Sequence, residues 1–157
     1  MHFLRKNCIW VMAAAVVVAA IAVCMPSSPS LVLREASTGK RFARYPLPAG
    51  STFSVTFVHS VNQSPVTDFY RAQKDNSLLC YATKFHAYGA GIPESWPETA
   101  KVETSTDGIY VSNLHIALPE VTYIVGTVSD HTLTIDDETI SLRELCGKNA
   151  EVLFKIE

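Results

Sequence analysis

Thr52-Phe-Ser-Val-Thr-Phe-Val-His59 decides the fold class. Phe53, Val55 and Phe57 fall on one face of an extended chain and Ser54 and Thr56 on the other, the two-residue period of a half-buried strand. The same period recurs on both sides of it. Leu31–Glu35 precedes it, and Val66–Gln73 and Leu78–His86 follow, joined by the turn Lys74-Asp-Asn-Ser77. Lys101–Glu103 and Ile109–Ser112 flank Asp107-Gly108, a hairpin signal. Val121–Val128, Thr132–Asp136, Thr139–Leu142 and Glu151–Ile156 continue the series, with one helical turn expected at Leu142–Leu145. After Met25 no stretch holds a 3.6-residue apolar period for three turns, and there is no repeat. The expectation is an all-β domain, an antiparallel β-sandwich or barrel of about eight short strands.

The chain has 157 residues, enough for one core, so a multi-domain enzyme is excluded. Its 48% hydrophobic content averages two unlike pieces. No carboxylate precedes Glu35, and Cys8–Met25 is apolar throughout behind Arg5 and Lys6. Eighteen residues of helix span roughly 27 Å, just enough for a hydrocarbon core, and the basic flank predicts a cytoplasmic N-terminus. Residues 1–25 are thus a membrane anchor preceding the domain as one hydrophobic helix, or a cleaved signal peptide with Ala20-Ile21-Ala22 at its cleavage site. A third reading lipidates Cys24. All three place residues 31–157 outside the cytoplasm, after a linker at 26–30. The 13 basic residues include Arg5 and Lys6, so the exported part carries 11 against 15 acidic groups, net −4. That balance argues against nucleic-acid binding.

Cys80 and Cys146 are the two cysteines of the exported domain. An oxidising compartment permits a disulfide between them; two separate buried thiols are the alternative. Neither has metal-ligand spacing to another Cys or His. No Gly-x-Ser-x-Gly elbow marks a nucleophile. Gly89-Ala-Gly91 lacks the third glycine of a dinucleotide fingerprint, and Pro93 stands where its helix should begin. Asp136-Asp-Glu138 reads as a solvated turn, without the spacing of a calcium loop.

Two features carry more. Ala87-Tyr-Gly-Ala-Gly-Ile-Pro-Glu-Ser-Trp-Pro-Glu98 breaks the alternation with two glycines, two prolines and two large aromatics. It is either an irregular connection or a shaped binding loop. Strand register, meanwhile, puts His59 on the face of Val55 and Phe57, His131 on that of Leu133 and Ile135, and Asp68 on that of Val66 and Tyr70. A carboxylate beside such an imidazole fixes its tautomer, lifts its pKa or shares a metal ion; a purely structural hydrogen-bonded network is the other reading. His86 and His115 read as exposed strand residues.

Phe57-Val-His-Ser-Val-Asn-Gln-Ser-Pro-Val-Thr-Asp68, Phe85-His-Ala-Tyr-Gly-Ala-Gly-Ile-Pro93 and Val125-Gly-Thr-Val-Ser-Asp-His131 together resemble domain-of-unknown-function family 1850, small exported bacterial proteins. The match runs from about Ser51 to Ile156, with Asp68 where the family more often has Glu. The resemblance implies an all-β domain that often accompanies TRAP transporters of the TAXI class, and no established reaction.

The first expectation is therefore a non-enzymatic accessory or binding module on the outer face of a bacterial inner membrane or in the periplasm. Its partner would be a TAXI-class TRAP transporter or its solute-binding protein. Its working surface would be His59, Ser60, Asp68, Tyr88, Gly89, Gly91, Pro93 and His131, with no cofactor and no metal. The second is a small enzyme or metal- or ligand-binding protein in which His59, Asp68 and His131 converge. The third is a structural domain without a ligand.

Overall fold

A computed structural model describes residues 28–157 except Val61, Ala90, Gly91 and Glu94. The expected anchor or signal at 1–25, with Cys24, and Gly91 of the loop lie outside the described residues. Among those residues no helix is long and apolar enough to cross a membrane.

The domain is antiparallel β, in two open sheets. Eleven strands are described rather than about eight: β1 (Ser30–Glu35), β2 (Arg41–Pro46), β3 (Thr52–Val58), β4 (Pro65–Ala72), β5 (Leu78–Phe85), β6 (Lys101–Ser105), β7 (Gly108–Leu118), β8 (Val121–Ile124), β9 (Thr132–Ile135), β10 (Glu138–Ser141) and β11 (Glu151–Ile156). Among the described residues one short helix, α1 (Leu142–Cys146), follows β10. Ten of the strands overlap the segments named from the sequence, and the one not named there is β2, whose Arg41, Arg44 and Pro46 suit an edge open to water. The span expected at Val121–Val128 stops at Ile124, because the chain turns at Gly126.

One sheet runs β2-β1-β11-β8, the other β10-β9-β3-β4-β5-β7-β6. Their facing sides share one core: Leu31, Leu33, Phe154 and Ile156 from the small sheet meet Phe53, Val55, Tyr70 and Leu133 from the large one. Phe53 stacks on Phe154 with 6.3 Å between centroids. Tyr123 on β8 reaches Tyr70 on β4. Since β8 is the last strand of the small sheet, β5, β7 and β6 extend beyond its cover. The inner face left bare there is roofed by the connection from β5 to β6, whose Ile92 and Trp96 pack on the core. Four strands facing seven leave room for a cavity.

Two irregularities shape that bare face. The β4–β5 pairing slips after Phe69 and leaves Tyr81 without a partner, so the inward positions of β5 pass from Leu78 and Cys80 to Thr83 and Phe85. In β7 the register jumps from Ile116 opposite Cys80 to Ser112 opposite Ala82. Asn113 and His115 take φ of 56° and 54° there, and burial passes from Ile109 and Val111 to Leu114.

The small sheet also fixes polarity. β11 pairs Ile156 with Leu31 at one end and Glu151 with Ile124 at the other. Ser30 hydrogen-bonds to Glu157, and Pro29 accepts from Leu47, so the start of the domain sits at the first end. Gly126 and His131 follow Ile124 at the second, about 17 Å away at roughly 3.4 Å per residue.

Candidate functional site

A cavity of about 570 Å³ opens at that second end, within the roughly 300–1,000 Å³ usual for small-molecule pockets. β3 and its following turn bring Phe57, His59 and Ser60 to it; β4 brings Asp68 and Tyr70; β5 brings Thr83 and Phe85. Leu114 and Ile116 come from β7, Ile92, Pro93 and Trp96 from the roof, and Gly126 and His131 from the turn after β8. The lining is mostly apolar and contains no lysine or arginine among the described residues.

Of the sequence-derived surface, His59, Ser60, Asp68, Pro93 and His131 all line this one cavity. Tyr88 and Gly89 stand next to it. Tyr88 is exposed, with its ring edge-on to Phe85 at 5.2 Å. Gly89 lies against Asn62, whose Nδ2 donates to the carbonyls of Ala87 and Tyr88 at 3.0 and 3.2 Å. A Cβ on Gly89 would come within 2.8 Å of that amide nitrogen. Asn62 thus clamps the roof to the β3–β4 turn, a role that spacing alone did not reveal.

Asp68 forms the polar floor. Its Oδ1 accepts from Thr83 Oγ1 at 2.8 Å and its Oδ2 from Tyr123 Oη at 2.7 Å. With its proton committed to Asp68, Tyr123 accepts from Tyr70 Oη at 2.6 Å. Burial, reinforced by the charge of Asp68, pushes both phenols above their ordinary pKa and keeps them donors. Thr83, Tyr70 and Tyr123 were not among the sequence candidates. The parity shared by Asp68 and Tyr70 was the available signal; the β5 bulge hid Thr83.

The two imidazoles are held alike. His59 is buried, and its Nδ1 accepts from the backbone N–H of Asn62 at 3.3 Å while its own N–H and C=O close the turn to Ser64 and Gln63. His131 Nδ1 accepts from Gly126 N–H at 3.1 Å, and its ring stacks on Phe57 at 5.3 Å. Accepting at Nδ1 assigns the neutral tautomer that carries its proton on Nε2. Behind His131, Asp130 accepts from Ser141 Oγ and Arg143 N–H, Ser141 caps α1, and Arg143 Nη2 donates to Gly126 O. These contacts fit the structural-network reading of the histidines. Among the described residues no group of three or more His, Cys, Asp or Glu could hold a metal ion.

Burial holds the His131 imidazole below its ordinary pKa of 6.5; Asp130 works against the shift and Arg143 adds to it. The unfolded chain therefore protonates at higher pH than the folded one. The resulting stability is complete above about pH 6.5 and declines as the pH falls below it. Urea midpoints should be lower at pH 5 than at pH 7.5, and His131→Gln should shrink that difference. An unchanged difference would remove His131 from the account.

Cys80 and Cys146 are both free thiols, so the disulfide that the sequence permitted is not formed. Cys80 stands in the cavity wall near Asp68, and burial followed by that charge pushes it up to about 12. Cys146 ends α1 near Tyr45, pushed up to about 11 by burial. Neither is a reactive thiolate. His86 and His115 are exposed, His115 within β7 and His86 just beyond β5. Asp136 and Asp137 form the exposed β9–β10 turn with positive φ, as a two-residue hairpin requires.

A family model described as Domain of unknown function (DUF1850) matches residues 53–142, more than half of the chain. Every residue lining the cavity falls inside that span, whereas β1, β2 and β11 fall outside it. No curated protein and no solved structure matches the chain.

Proposed function

The chain belongs to the DUF1850 family, and from that premise we propose that its exported part is a non-catalytic binding domain holding a small molecule in the cavity roofed by Trp96. The observation that carries the reading is convergence. Residues from four strands, the β5–β6 connection and the turn after β8 enclose one mainly apolar space with Asp68, the one carboxylate among the described lining residues, at its floor. We read the two sheets as layers of a β-sandwich whose unequal width makes that space. Two imidazoles that accept backbone N–H groups, and hydroxyls that donate to Asp68, support binding rather than acid–base chemistry.

The setting we assign is the periplasmic side of a bacterial inner membrane, with residues 1–25 as anchor or signal. The partner we assign is a TAXI-class TRAP transporter or its solute-binding protein. That accessory role rests on the family resemblance alone. The binding role is tested on the full chain and on Ile116→Trp, which adds bulk at a partly exposed wall position. Both are purified from the same cells and extracted for mass spectrometry. The wild type should carry a small molecule in near-stoichiometric amount that the variant lacks; identical extracts would overturn the reading.

A further inference from the structure

The donors at the cavity floor are all spoken for. Thr83 and Tyr123 each give their proton to Asp68, and Tyr70 gives its own to Tyr123. A carboxylate offers about four lone-pair sites, and two of these are used. The floor therefore presents acceptors only: the remaining lone pairs of Asp68 and the oxygen of Tyr70. Among the described residues no lysine or arginine lines the space, and the two ion pairs found there, Arg34–Glu157 and Lys155–Glu120, involve other carboxylates. A half-buried carboxylate without a cation is unusual, because buried charge is normally paired. Above it stand Phe57, Phe85 and Trp96. Phe85 and Trp96 stack at 6.1 Å, and aromatic faces attract cations. Trp96 contributes one more feature, a buried indole N–H that meets no acceptor among the described residues.

Building on the binding role proposed above, we infer that the ligand is a small hydrophobic amine. Its ammonium group occupies the open side of Asp68, and its aromatic or branched-aliphatic body lies against Phe57, Phe85 and Trp96. An acceptor atom elsewhere on the molecule would meet the indole N–H. An anion is disfavoured because its charge would stand against that of Asp68 with no lysine or arginine among the described lining residues to offset it. A neutral alcohol supplies one donor but leaves the carboxylate's charge uncompensated.

Three probes of nearly one shape separate these cases: 2-phenylethylamine, 2-phenylethanol and 3-phenylpropanoate. In equilibrium dialysis of the full chain with radiolabelled 2-phenylethylamine, the amine should be retained. The alcohol should compete at least tenfold more weakly than unlabelled amine, and the carboxylate should not compete. Asp68→Asn should weaken amine retention tenfold or more, and Ile116→Trp should abolish it with the carboxylate intact. Equal or better competition by the carboxylate, or unchanged retention in Asp68→Asn, would overturn the inference. If Asp68→Asn does not fold, the ranking of the three compounds on the wild type decides alone. Failure of all three probes, while extracts still distinguish wild type from Ile116→Trp, removes the amine and keeps the binding domain. Failure of both removes both.

Discussion

Asp68→Ala should lower the stability of the domain by about 3 kcal/mol, with a fall in Tm on the order of 10 °C. The substitution removes the acceptor of two hydroxyls, Thr83 at 2.8 Å and Tyr123 at 2.7 Å. Thr83 keeps only the Thr67 carbonyl at 3.3 Å, and Tyr123 can turn its proton to Tyr70 only by stranding that phenol's own. Bonds to an ionised group are worth roughly 1.5–3 kcal/mol each, and a stranded buried donor adds its own desolvation cost. Release of a carboxylate that has no cation beside it works in the opposite direction and keeps the net loss near that of a single charged bond. Asp68→Asn retains one acceptor oxygen and should lose about half as much. Urea unfolding of the two variants checks this. A loss under about 0.5 kcal/mol for the alanine would mean that the hydroxyls find water instead.

Gly126→Ala should cost about 2–3 kcal/mol by a different route, the overpacking of a fixed backbone. A Cβ built on Gly126 would lie 2.2 Å from the carbonyl oxygen of Ser129, an atom with no freedom to swing aside. Relief requires the turn from Val125 to His131 to open. Opening it loosens the Gly126 N–H bond to His131 Nδ1 and the Arg143 bond to Gly126 O together. Chemical denaturation gives the stability loss, and the nuclear magnetic resonance of the His131 ring gives the local consequence: its pKa should move toward the ordinary imidazole value. A stable variant with unmoved His131 resonances would show that the turn has slack that the geometry does not reveal.

Both predictions rest on residues that the sequence exposed unequally. Alternation in Thr52–His59 and Val66–Gln73 was legible because those two strands pair with each other without slip, and register then put His59 and Asp68 on the core side. The loop of glycine and proline was legible as a break, and Pro93 does line the cavity. Thr83 and Leu114 were not legible. Each sits just past a register slip, and a two-residue period read straight through Tyr81 or Asn113 assigns the following side chains to the wrong face. The positive φ of Asn113 and of His115 has only a weak sequence signal, since asparagine and histidine both tolerate it better than most residues. Tyr123 was hidden differently. It reads as an ordinary strand aromatic, and only the placement of β8 over β4 turns its hydroxyl into a partner of Asp68. Distant pairing of sheets is a tertiary fact that local periodicity does not encode.

The antiparallel run of β11 between β1 and β8 separates the chain's point of entry from the histidine turn by the length of a strand. Ser28 and Ser30 stand with Glu157 at one pole, so a load applied to the chain there would not fall on the roof. On the anchored reading proposed above, that polarity would turn the cavity mouth away from the bilayer and leave Trp96 open to the aqueous side.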